Sequence, residues 1–271
     1  MDKVIVLGDT GMLGHKMVQI LSQKYMVPII GKAQFNPLRG DSILPFLEYY
    51  QPRAVVNCIG AIKQRSYAEN EFVTLNALLP HNLHIQCEKT GAHLIHFSSD
   101  CVFSGENGPY KETAESDAKD IYGKTKYLGE VGHTTALTLR TSIIGRELYS
   151  TNGLLEWFLN ERDTVNGYVK SFFSGVTTNW LAHAVSHLIS QPKILAGIYQ
   201  VASDPTSKDA LLRKIRTIYG KENAIIPNEY PRCNRVLDGT RFEKETGIVV
   251  PGWGDMLLHQ FQEDKRLYAG R

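Results

Sequence analysis

The sequence predicts an α/β fold in which a doubly wound parallel sheet is followed by a smaller C-terminal lobe. Three observations carry that expectation. A chain of 271 residues, 42% hydrophobic, 21% charged and 10% aromatic, can bury one large core with an appendage and leaves disorder, collagen and coiled coil without support. Short apolar runs at 4–7, 27–30, 54–59, 93–97 and 136–139 lack polar alternation, the pattern of strands covered on both faces. Between them, residues 12–24, 42–50, 71–89 and 121–133 have apolar side chains at helical spacing and few breakers, so strands and helices alternate in a βαβ rhythm.

After Gly145 the rhythm loosens. A helix over 154–161, a Phe-Phe-Ser-Gly-Val-Thr-Thr stretch at 172–178, a helix over 180–190 and a strand at 198–201 that rejoins the sheet follow in order. Helices at 207–219 and 254–263, with a Pro-rich stretch at 226–231 between them, have the look of a smaller lobe. Residues 1–150 are therefore expected to form a Rossmann-type domain to which 175–203 return, and 151–174 with 204–271 the lobe. No internal repeat or low-complexity tract interrupts this plan.

Charge and cysteine usage narrow the function classes. Thirty basic residues against 28 acidic ones leave a net charge of +2, without the extended basic field that nucleic acid or an anionic membrane requires, so any anion must be held locally. Cys58, Cys87, Cys101 and Cys233 form no CxxC pair and fit a reducing compartment. The first apolar run is too short for a signal-peptide core and none approaches the roughly 18 residues of a membrane span. The cytoplasm is the expected location. His81 and His84, three apart on one helix, are read as helix-surface or core residues, and no metal is predicted. Trp157, Phe158, Phe172, Phe173 and Trp180 are read as packing in the lobe.

The first apolar run ends in Gly8-Asp9-Thr10-Gly11-Met12-Leu13-Gly14, directly before a helical pattern. Glycines here let the backbone turn tightly and approach a pyrophosphate, while the following helix presents unpaired N–H groups and a partial positive charge. The spacing is GxxGxxG where the common dinucleotide fingerprint is GxGxxG, but its place after the first strand favours cofactor binding over a structural turn. Gly8, Thr10, Gly11, Met12, Leu13 and Gly14 are the candidate contacts. The next strand leads into Gly31-Lys32-Ala33-Gln34 without the acidic residue that would bind a free adenosine ribose. Lys32 is a candidate for a 2′-phosphate, so NADP(H) is favoured over NAD(H).

Tyr122 and Lys126 stand four apart in a helical segment and project from one face. A phenol ionises near pH ~10, and an adjacent ammonium with a cationic nicotinamide lowers that value enough for acid-base work. At the end of the fourth apolar run stands His96-Phe97-Ser98-Ser99-Asp100, where open α/β sheets place ligand groups. A glycine-rich turn, a serine at a later strand end and Tyr-xxx-Lys on the next helix occur in the order that a short-chain dehydrogenase/reductase needs.

Nearly the whole chain resembles the extended short-chain dehydrogenase/reductases, and within them the dTDP-4-dehydrorhamnose reductase-like sugar-nucleotide reductases. The specific stretches are Ser98-Ser99-Asp100-Cys101-Val102-Phe103-Ser104-Gly105 and Tyr122-Gly123-Lys124-Thr125-Lys126-Tyr127-Leu128-Gly129-Glu130, joined by Leu139-Arg140-Thr141-Ser142 and Asn76-Ala77. The resemblance implies that Ser99, Tyr122 and Lys126 form the catalytic triad, with Lys126 also holding the nicotinamide ribose. It implies further that Asp41 lies near adenine and that Gly60 and Ala61 line the cofactor path. Gly175-Val176-Thr177-Thr178 and Asn234-Arg235-Val236-Leu237-Asp238 look like the family's substrate-lobe segments, and Arg235 is the residue expected to meet a nucleotide diphosphate.

Two departures bear on the substrate. Cys101 stands where the rhamnose-forming enzymes typically carry an aromatic after the Ser/Thr-Asp pair, and Ile143 where they typically carry Trp. Ser99, Asp100, Cys101, Ile143 and Arg235 are thus the expected substrate-facing set. The family's acidic motif is replaced by Gly60-Ala61-Ile62-Lys63-Gln64-Arg65. The function implied is reduction of a keto group on a nucleotide-linked deoxysugar for cell-surface polysaccharide precursors, with a nucleotide-diphosphate sugar as partner, neither nucleic acid nor membrane, and a homodimer left open. A non-catalytic dinucleotide-binding regulatory subunit and a sugar-nucleotide epimerase of the same superfamily remain as alternatives.

Overall fold

A five-stranded, wholly parallel sheet is the spine of the chain. The computed structural model describes residues 1–267. Strands β1 (Val4–Leu7), β2 (Ala54–Asn57), β3 (His93–Ser98) and β4 (Ala136–Arg140) lie side by side, and Gly197–Gln200 joins the free edge of β4. Alternate strand residues enter opposite cores. Val4 and Val6 pack with Met17, Leu181 and Val185 on one face, whereas Ile5 and Leu7 pack with Leu47, Leu79 and Leu83 on the other. Burial on both faces is why these runs carry no polar alternation.

The run at 27–30 is not the strand that its apolar composition predicts. Only two parallel bridges, Lys3 to Met26 and Val6 to Ile29, tie it to the outer edge of β1, and Met26 and Ile29 are exposed, so nothing beyond it supplies a second ladder. It still fixes the topology: the chain leaves β1 on one side and returns as β2 on the other. Ligand crevices of open α/β sheets form where the order reverses in this way.

Helices α1 (Gly14–Leu21) and α2 (Leu44–Tyr50) are shorter than their apolar periodicity suggests. The segment expected as one helix over 71–89 is three pieces: α3 (Glu69–Phe72), a π-helical stretch Val73–Leu78, and α4 (Leu79–Thr90), ended by Gly91 at φ 74°. Pro80 gives the reason. It has no N–H to offer the Asn76 carbonyl four residues back and its ring crowds that position, so the helix widens there. Helix α5 (Ile121–Leu128) is capped by the Asp120 carboxylate, which accepts from Gly123 N at 2.9 Å. On α4, His84 is buried, stacks on His133 and pairs with Glu88 one turn later at 3.4 Å. That carboxylate is at helical spacing, yet no group of three potential metal ligands occurs among the described residues.

Beyond β4 the chain builds small sheets. Ser171–Phe173 is flanked by Thr206–Ser207 and Cys233–Arg235, and Val165–Tyr168 pairs with Ile225–Asn228. One apolar cluster extends from β1 to Phe173, Leu211 and Ile225, so these segments share a core with one face of the main sheet. The last four residues of the expected lobe, 268–271, lie outside the described residues. No helix among the described residues is long and apolar enough to cross a membrane.

Candidate active site

A cleft of about 760 Å³ opens at the carboxyl ends of the strands, with walls from the glycine-rich turn, the segments after β2 and β3, α5 and the small C-terminal sheets. Its floor is the turn after β1. Gly8 has φ 80°, and a Cβ on Gly14 would stand 1.9 Å from the Gly8 carbonyl oxygen. Only glycine permits that approach of α1 to the strand end. Gly11 N donates to Gly8 O at 3.0 Å, and Gly11, Met12 and Leu13 face the cleft, whereas Thr10 is exposed at the tip of the turn. The cradle fits a dinucleotide pyrophosphate, since its backbone is bare and the helix N-terminus behind it favours negative charge.

Gly60 and Ala61 form the opposite side. Their backbone is held by Asn76, a fully buried side chain whose Oδ1 accepts from Ala61 N at 2.9 Å while Nδ2 donates to Ala61 O at 3.1 Å and to Thr125 Oγ1 at 3.4 Å. Asn76 sits in the π-helical stretch, and its backbone carbonyl packs on the end of α5, where a Cβ on Gly129 would be 1.8 Å away. The family resemblance includes Asn76 and sets it beside the cofactor-path residues, without giving it this structural task. The sign was present in Pro80, four residues on, which has no N–H to offer that carbonyl.

Ser99, Tyr122 and Lys126 converge in the cleft. Ser99 caps the short 3₁₀ turn Asp100–Val102, its Oγ accepting from Cys101 N at 3.1 Å and donating to Asp100 Oδ1 at 3.1 Å. The same hydroxyl is a hydrogen-bond partner of the Tyr122 phenol. Gly123 lets α5 come this close, because a Cβ there would lie 2.2 Å from the Cys101 carbonyl oxygen. Burial raises the Tyr122 pKa above the usual phenol range, reinforced by Cys101, Asp100 and Asp120 and opposed by the Ser99 hydrogen bond. The expected lowering by Lys126 is not what this arrangement gives. Lys126 Nζ donates to the Phe97 carbonyl oxygen instead, and burial lowers its own pKa to about 8 against the attraction of Glu130. The protonated phenol is the form that donates a proton at neutral pH.

Asp100 is buried beside the site, Cys101 is half-buried with its thiol pushed up to about 12 by burial, and Ile143 and Arg235 line the cleft. Arg235 has part of its guanidinium occupied: Nε donates to Phe103 O at 2.8 Å and Nη2 to Ser104 O at 3.1 Å. Lys32 is exposed on the turn after β1's outer neighbour. Asp41 lines a separate pocket of about 260 Å³ with Phe35, Ser42 and Thr74. Its carboxylate grips Arg39, with Nη2 at 2.6 Å and Nε at 3.2 Å, and Arg39 Nη2 also donates to Ala33 O at 3.0 Å. Arg39 was not singled out from the sequence, although it brings a second cation beside the Lys32 turn.

Comparison with known proteins agrees with this architecture. The RmlD substrate binding domain family matches residues 2–265. The chain is 30% identical to the spore coat polysaccharide biosynthesis protein SpsK of Bacillus subtilis (strain 168), over 97% of this chain and 98% of that one. It is 24% identical to dTDP-4-dehydrorhamnose reductase of Aggregatibacter actinomycetemcomitans, over 93% and 96% of the two chains. The crystal structure of dTDP-4-dehydrorhamnose reductase from Bacillus anthracis in complex with NADP superimposes with a TM-score of 0.85, covering 97% of this chain and 99% of that one at 21% identity, and shows the shared fold.

Proposed function

The chain belongs to the RmlD substrate binding domain family, and from that premise we propose that it is an NADP(H)-dependent reductase of a keto group on a nucleotide-diphosphate deoxysugar, serving polysaccharide precursor synthesis in the cytoplasm. The observation that carries this reading is the meeting of Ser99, Tyr122 and Lys126 in the cleft whose floor is the Gly8–Gly14 turn. In the proposal, residues 1–150 with 175–203 bind the dinucleotide, and 151–174 with 204–271 bind the substrate.

When bound, the nicotinamide supplies a hydride to the substrate carbonyl carbon. Ser99 Oγ turns its hydrogen from Asp100 Oδ1 to the carbonyl oxygen and holds that oxygen beside the phenol. Tyr122 Oη releases its proton to that oxygen as negative charge develops there, leaving a phenolate that the neighbouring Lys126 ammonium stabilises. Lys126 leaves the Phe97 carbonyl or shares its protons with a ribose hydroxyl to do so. Arg235 keeps Nη1 for a substrate phosphate, and exclusion of water by Leu13, Ile143 and Phe173 strengthens each of these contacts. NADP is favoured over NAD because Lys32 and Arg39 stand on neighbouring turns, and because a relative of the same fold binds NADP.

The test is loss of NADPH absorbance with a panel of nucleotide-linked ketosugars. Tyr122→Phe is expected to lower turnover by on the order of 10²-fold with dinucleotide affinity nearly intact. Mutant turnover equal to wild type, or no turnover with any ketosugar while cofactor binds, rejects the reading.

A further inference from the structure

Lys63 lies in the segment after β2 where no catalytic role was expected. Its Nζ is 2.7 Å from Asp120 Oδ2 and stands over the Tyr122 ring, 5.4 Å from the centroid. Asp120 is at the same time the cap of α5, with Oδ1 on Gly123 N at 2.9 Å. One ammonium therefore touches both the carboxylate that starts the catalytic helix and the face of the phenol that the helix carries.

Resting on the reductase reading, we propose that Lys63 is a positioning residue for Tyr122, fixing the ring and easing departure of its proton through an ammonium shared between the Asp120 carboxylate and the ring face. The side chains of Lys63 and Asp120 are 42% and 44% exposed, so the pair does little for folding. Its geometry acts on the ring. A cation over an aromatic face is attracted to the electron density there, and a phenolate ring holds more of it than a phenol ring. The charged and titratable groups facing Tyr122 are Asp100 and Cys101 from the segment after β3, Asp120 at its own helix start, Lys126 one turn on, and Lys63. The Asp100 and Asp120 charges hold the phenolic proton on. Lys63 offsets Asp120 directly and adds positive charge from outside the helix. The ion pair limits where its flexible side chain can go, which keeps the ammonium near the ring rather than in solvent.

The experiment compares wild type, Lys63→Met and Lys63→Arg. In the reduction direction, Lys63→Met is expected to lower kcat about fivefold at neutral pH with KM within about twofold, because the phenol becomes a weaker acid. Lys63→Arg should restore kcat, since a guanidinium reaches carboxylate and ring alike. A raised KM with kcat unchanged would show that Lys63 holds substrate and would overturn the proposal, as would wild-type kinetics throughout. A second readout needs no turnover: in protein labelled with 3-fluorotyrosine, the fluorine resonance assigned through its loss in Tyr122→Phe should shift in Lys63→Met and return in Lys63→Arg. An unchanged resonance rejects the proposal. A shifting resonance in a protein inactive on every ketosugar upholds it and rejects the reductase reading instead.

Discussion

Glu130 grips Arg140 with both carboxylate oxygens, Oε1 at 2.7 Å from Nε and Oε2 at 2.6 Å from Nη2, and their side chains are only 3% and 4% exposed. Ser98 Oγ donates to the same Oε1 at 2.7 Å, and Arg140 Nη1 donates to the Glu112 carbonyl at 3.2 Å. The pair links the end of α5 to β4 and the last residue of β3 while its negative member supports the Lys126 ammonium. Removing one partner strands the other in a dry interior. Glu130→Gln is expected to cost about 3–5 kcal/mol, read by urea unfolding, whereas joint replacement Glu130→Met with Arg140→Leu should recover most of it. If the double variant is as unstable as the single, the pair holds the fold by its own attraction.

Lys126 makes the opposite contribution to stability. Burial has lowered its pKa from the usual lysine value to about 8, so between roughly pH 8 and 10.4 the unfolded chain binds a proton that the folded chain does not, and stability rises with pH across that window. At pH 7 the folded protein carries the cost of a buried ammonium. Lys126→Met should therefore stabilise the protein by about 1–3 kcal/mol at pH 7 despite abolishing turnover, less the cost of leaving the Phe97 carbonyl unpaired. Urea unfolding at pH 7 and pH 9.5 checks this, and the advantage of the variant should shrink at the higher pH. A gap that widens with pH contradicts the assignment of a charged, desolvated lysine.

Cofactor choice should depend on two cations. Lys32 and Arg39 are both exposed, and each is worth about 1 kcal/mol to a phosphate, so Lys32→Ala is expected to reduce the NADPH over NADH preference several-fold and the double variant with Arg39→Ala to erase it. NADH affinity should stay nearly constant for Lys32→Ala. Fluorescence titration of both cofactors measures the ratio, and equal wild-type affinities would show that neither cation reads the 2′-phosphate.

The sugar pocket should differ from that of the rhamnose-forming enzymes. Cys101 and Ile143 line the cleft, and the nearby Phe103 cannot replace a missing planar surface, because it is fully buried and stacked on Tyr110 at 4.1 Å with the Arg140 guanidinium 5.5 Å from its ring. Loss of two stacking surfaces at ~1 kcal/mol each lowers kcat/KM for dTDP-4-dehydrorhamnose by roughly one to two powers of ten relative to the proper substrate. The ketosugar panel decides, and the rhamnose precursor as best substrate would remove Cys101 and Ile143 from the specificity determinants.

Several features of this protein were determined by local sequence. Apolar runs buried on both faces marked β1 to β4 because a parallel strand tolerates no polar face. The Gly8–Gly14 turn was legible because a close backbone approach leaves glycine no substitute, and Tyr122 with Lys126 because helical pitch alone puts them on one face. What the chain could not state locally was decided by partners distant in sequence. Residues 27–30 have strand composition but only bridge the edge of β1, since pairing depends on a neighbour and not on the run itself. Asn76 holds Ala61 and Thr125 through contacts 15 and 49 residues away. Lys63 meets Asp120 and Tyr122 only after the sheet has brought the segment after β2 against the start of α5. The protonation of Tyr122 belongs here too: spacing placed an ammonium one turn away, but burial and the Phe97 carbonyl decided where that ammonium points, and desolvation depends on everything that the fold packs around a group.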